Sequence, residues 1–219
     1  MSHSSAYQAF ESNRADVDRL LEVHRDLSGK GRGRRYGMAV LNKSAVVLLC
    51  AAWEAYCEDL VSEVVEHFVS QAPEAKILPT VLRKRIATEL SSDKMQMWTL
   101  AGDGWRLVLS KRLGDLKVER DRKLNTPRTS QIRELFAEHV GYDNIDQKWT
   151  WSGVTAELAR EKLDEFVTLR GSIAHRVEAD SAVHKADVVR YTRFIGRLVK
   201  NTDQVIVEHA RSVTGLPLA

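Results

Sequence analysis

Proline and glycine are scarce in this chain: 4 and 12 of 219 residues, with the glycines mostly between stretches of apolar periodicity. A turn-rich β fold needs more of both at regular intervals. No stretch alternates apolar and polar residues long enough to make a strand, and the best candidate, Val205-Ile-Val207, continues a helical stripe. Cysteine is limited to Cys50 and Cys57. On one helix those positions are about 10 Å apart, too far for a disulfide. They read as small core residues of a protein from a reducing compartment.

Other absences narrow the chemistry. His67, His139, His184 and His209 are scattered, without metal-ligand spacing to cysteine or to one another, so neither a metal nor another cofactor is expected. Gly29, Gly31 and Gly33 alternate, but no strand precedes them to make a phosphate loop. No serine-nucleophile motif occurs. The longest unbroken apolar run, Ala45 to Trp53, is far short of the ~20 residues of a membrane span, and the N-terminal residues carry no apolar signal region. The expectation is a cytoplasmic protein without a membrane partner.

What is present is helical. Hydrophobic residues make up 43% of the chain and charged residues 29%, enough for a sizeable core under an ordinary soluble surface. The spacing predicts a first helix over about 7–28, with Phe10, Val17, Leu20, Leu21, Val23, His24 and Leu27 recurring at helical intervals. A longer helix follows over about 38–70, apolar nearly all round in its first half and therefore central. Shorter helices are predicted over about 79–90, 105–116 and 129–140, with another turn near 95–100. A helix opened by Thr155 leads to Arg170, and a last one covers about 182–213. The fold class is all-α: one domain over 1–219, a bundle of about four core helices with shorter ones inserted.

Net charge is only +3, but its distribution is uneven. Between Arg106 and Arg133 lie nine Lys/Arg against Asp115, Glu119 and Asp121, so that stretch is net +6 and the remainder net −3. A second basic run is Lys30-Gly-Arg-Gly-Arg-Arg35. Clustered cations suit a phosphate-bearing partner, and solvated connectors explain them equally well. Lys111, Arg112, Arg120, Arg122, Lys123 and Arg176 are the candidate contacts to such a partner.

The most informative feature is Arg170-Gly-Ser-Ile-Ala-His175. An arginine keeps its charge and offers a fork of donors to phosphate oxygens, and a histidine exchanges protons near neutrality. Together they supply what RNA cleavage by the 2′-hydroxyl needs: proton transfer and a cation for the charge that builds on phosphorus. Five positions on an ideal helix span about 140° of rotation, so the pair shares a face only if the helix ends between them. A surface arginine and a capping histidine would explain the pair without function. Glu54 is the second candidate, a carboxylate among Ala51, Ala52, Trp53 and Ala55. Burial of a lone carboxylate is costly, so a cationic partner is expected, Arg170 or His175 for a site role. Trp149 and Trp151 precede the motif helix; packing explains them more simply than base stacking.

The stretch Leu169-Arg-Gly-Ser-Ile-Ala-His-Arg176 resembles the Arg-polar-x-Ile-Ala-His signature of HEPN domains. Leu49-Cys-Ala-Ala-Trp-Glu-Ala-Tyr-Cys-Glu-Asp-Leu60 is similar to the first core helix of their RiboL-PSP-type subgroups. The resemblance covers about 38–213. It implies a helical bundle that forms a homodimer, with Arg170 and His175 of both protomers lining one cleft. It further implies metal-independent cleavage of single-stranded RNA, a role as a toxin or in phage defence, and a cognate antitoxin as possible partner. Gly171 departs from the pattern, because the family usually carries Asn, Asp or His after the arginine; Ser172 is the nearby hydroxyl that could substitute. A non-catalytic HEPN module that binds nucleotide, nucleic acid or a partner protein is the alternative, and Gly171 favours it.

Overall fold

The structure, a computed structural model, describes residues 3–28, 38–92, 95–122, 126–175 and 183–218, without the side chains of 27–28, 116–117, 119–122 and 175. Seven α-helices follow in order: α1 (Ser5–Ser28), α2 (Met38–Gln71), α3 (Thr80–Leu90), α4 (Gly104–Arg122), α5 (Thr129–His139), α6 (Ala156–His175) and α7 (Lys185–Thr214). Short 3-10 turns cover Ala75–Ile77, Gln96–Leu100 and Ile145–Lys148. Among the described residues the only β pairing is the isolated bridge between Trp151 and Val154.

α2 is the axis, in contact with α1, α4, α5, α6 and α7. Its buried face runs from Asn42 through Leu49, Trp53, Tyr56, Leu60 and Val64 to Phe68. By length and composition it is also long and apolar enough to cross a membrane. Counting only the unbroken run Ala45–Trp53 misses this, because charges between apolar residues interrupt the run without lowering its mean hydropathy far. Here those apolar side chains form the centre of the bundle.

α7 lies along α2 in the same direction. Asn42 Nδ2 donates to the Val183 carbonyl (2.8 Å), Tyr56 Oη to that of Val199 (3.2 Å), and His67 Nε2 meets Thr214 Oγ1 (2.8 Å), so the register advances together along both helices. The N-terminus is tied to the same pair. Asp203, 1% exposed, accepts from Ser4 Oγ and from His3 Nδ1 at 2.8 Å, and Glu63 accepts the Ser5 and Ala6 amides at 3.0 Å. Val23, read as part of the α1 apolar face, is exposed.

Two helices run further than their periodicity indicates. α4 extends to Arg122, because charged residues with good helix propensity continue it past its last apolar contact. α6 extends through His175. Its start is as expected: Thr155 Oγ1 accepts the Leu158 amide at 3.3 Å.

Candidate active site on helices α2 and α6

α6 packs on α2, and its Leu163, Phe166 and Val167 are buried. One turn further, Arg170 is half-buried, and its charge acts on Cys50 and Glu54, themselves one turn apart on α2. Glu54 is raised to about 7, first by burial and then by the neighbouring carboxylate of Glu58, while Arg170 pulls the other way. Burial likewise pushes the Cys50 thiol up to about 12 against the opposing pull of Arg170, and drives the fully buried Cys57 thiol up as well. Both thiols are free and protonated, so neither serves as a nucleophile.

The expected association of Glu54 with Arg170 is therefore present as a through-space interaction rather than a direct ion pair. Among the described residues no carboxylate lies within 4 Å of the guanidinium. A carboxyl near 7 beside a fixed cation can give or take a proton at neutral pH.

The geometry of the motif differs from expectation. The helix does not break between Arg170 and His175; no proline intervenes, Ile173 packs against the core, and Ser172 Oγ donates to the Leu169 carbonyl at 2.7 Å. Positions 170 and 175 are thus about 140° apart around one helix axis. The side chain of His175 lies outside the described residues, as does Arg176. Ser172 spends its proton on its own helix and donates nothing to the site. At Gly171 a Cβ would meet nothing within 4 Å, so the missing polar group leaves open space.

The basic stretch divides. Arg112 donates to Glu89 and, at 3.1 Å, to the Glu138 carbonyl, which makes it a brace between α3, α4 and α5 rather than a phosphate contact. Arg106 ties down the end of α2 through the Val69 and Ala72 carbonyls. Lys111 is exposed on α4. Arg120 and Arg122 belong to α4 with their side chains outside the described residues, and Lys123 and the Lys30–Arg35 run lie outside them altogether. His67 and His209 are structural; His209 Nε2 donates to the Val140 carbonyl at 3.2 Å, and burial lowers its pKa. Trp149 is buried with its indole N–H on Thr202 Oγ1 at 2.9 Å, as packing requires. Trp151 stays half-exposed against Phe194, ring centroids 5.9 Å apart.

A family model described as RiboL-PSP-HEPN matches residues 12–208, nearly the whole chain. The chain belongs to the RiboL-PSP-HEPN family. The match begins within α1 and runs through the helices from Met38 into α7. No curated protein and no solved structure matches the chain.

Proposed function

We propose that this HEPN domain is an endoribonuclease that cleaves single-stranded RNA without a metal, through Arg170 and His175 in a cleft between two copies of the chain. The observation that carries this reading is the arginine of the HEPN motif, half-buried and, among the described residues, without a direct carboxylate partner, next to a carboxyl held near 7. Arg170 binds the scissile phosphate. His175 takes the 2′-hydroxyl proton or protonates the departing 5′ oxygen, and Glu54, within electrostatic reach of Arg170, offers a second proton site. The 2′ oxygen bonds to phosphorus, the P–O5′ bond breaks, and the products are a 2′,3′-cyclic phosphate and a 5′-hydroxyl. Because α6 is unbroken, one chain carries the two motif positions on different sides of a helix, which is the physical reason to invoke a symmetric second copy. A cytoplasmic toxin or phage-defence role, with a cognate antitoxin, fits such an activity.

The test is incubation of the full chain with total RNA in chelator, followed by end analysis. Cyclic-phosphate fragments lost in His175→Ala are expected. Cleavage that persists in that variant, or that requires Mg²⁺, refutes the proposal. Gly171 supports a second reading, a module that binds RNA or a partner protein without cutting; reproducible His175-dependent fragments rule it out.

A further inference from the structure

Among the described residues, a cluster of cations lies outside the 106–133 stretch, on α7, where an open groove of about 720 Å³ runs beside the Trp151–Val154 bridge and α6. Lys185, Arg190, Arg193 and Arg197 of α7 line it with Lys162 of α6, and no lining residue is acidic. The nearest carboxylate on α7, Asp187, pairs with Arg190 at 3.0 Å and also accepts the His184 amide at 3.1 Å. Among the described residues the other four cations have no ion-pair partner. Trp151 and Phe194 form the apolar part of the wall with Val154, Ala186 and Val189, and the indole is only half-buried.

We propose that this groove binds the backbone of single-stranded RNA, with one base stacked on Trp151. Three features favour a strand over a compact ligand. The α7 cations recur at intervals of three to five residues, roughly one charge per 6 Å of axis over about 18 Å. That is a linear array, matched to successive phosphates rather than to a clustered polyphosphate. A half-exposed aromatic beside the array is the arrangement by which proteins hold single strands without reading sequence. And Lys162 stands eight residues before Arg170 on α6, about 12 Å along the helix, so a strand in the groove continues toward the motif. The inference rests on the ribonuclease reading only in taking RNA as the ligand; holding the strand and cutting it are separate steps.

The test uses a fluorescein-labelled oligouridylate twelve-mer, the full chain carrying His175→Ala so that the probe stays intact, and anisotropy across a salt series. With four cations engaged, log K is expected to fall with log salt at a slope of about −3. Arg193 and Arg197 are exposed, so Arg193→Ala/Arg197→Ala retains the fold. It should reduce the slope by about 1.4 and weaken binding roughly 10- to 30-fold at 0.1 M salt. Trp151→Ala should weaken binding about 5-fold or more, with Trp151→Phe restoring most of it. Unchanged affinity and slope in the double arginine variant overturn the proposal, as does absence of binding. Displacement of the probe by equimolar ATP also overturns it, by assigning the groove to a free nucleotide. If the native chain cuts RNA while the double variant binds as before, the groove fails and the ribonuclease reading stands. If groove binding is as described while the native chain cuts nothing, the reverse holds.

Discussion

Replacing Glu54 by glutamine should stabilise the protein at alkaline pH and leave it nearly unchanged in acid. The carboxyl goes from 4.5 to about 7 on folding, with burial as the main cause. A raised folded value means the native state holds the proton more tightly than the unfolded chain. The stabilisation from that proton is complete below about pH 4.5 and is lost as pH rises through about 7. At roughly 1.4 kcal/mol per pH unit, the interval corresponds to about 3 kcal/mol at full burial. Glu54 is only half-buried, and solvent screening reduces this to about 1–2 kcal/mol. Glutamine carries no charge at any pH and escapes that loss. Urea denaturation of both proteins should therefore show Glu54→Gln more stable by about 1–2 kcal/mol at pH 8, equivalent to roughly 2–6 °C in Tm, and within about 0.5 kcal/mol at pH 5. If the variant is equally or less stable at pH 8, Arg170 outweighs burial and holds Glu54 as an ion pair, and the assignment of a protonatable group beside the motif fails.

Two further substitutions probe the frame around the site. Gly171 is helical and a Cβ there has room, so Gly171→Ala should raise stability by about 0.5–1 kcal/mol, read as an increase in Tm; a decrease would mean the position contacts something the open space does not show. Trp149→Phe removes the indole donor from Thr202, whose hydroxyl is fully buried; a loss of about 1–3 kcal/mol in denaturant unfolding is expected, and a change below 0.5 kcal/mol would refute that role.

The helices were readable in the sequence because apolar residues at 3.6 spacing and one well-placed threonine carry local information. Thr155 caps α6 as its position indicates. Helix ends were less readable. Apolar periodicity ends near Leu116 in α4 and points to a break inside Arg170–His175, yet a helix continues past its last buried residue wherever propensity and backbone hydrogen bonds suffice. At the site, Glu54 stood out as a carboxylate in an apolar segment, and the structure brings it under the influence of the motif arginine.

Charge was the weakest guide, for a geometric reason. A count along the chain made Arg106–Arg133 the basic feature, yet Arg106 and Arg112 there hold carbonyls and carboxylates of neighbouring helices. The same count passes over Lys185, Arg190, Arg193 and Arg197, because Asp187 and the apolar residues between them make that stretch look like any amphipathic helix. On the folded helix the apolar residues turn inward, and Lys162 arrives from a helix 23 residues away in sequence to face the same groove. A phosphate backbone responds to charge per unit of surface, not per unit of chain. On the proposal that the α6–α7 groove holds RNA, losing Arg193 and Arg197 should weaken RNA binding more than losing Arg112, whose removal should instead lower stability.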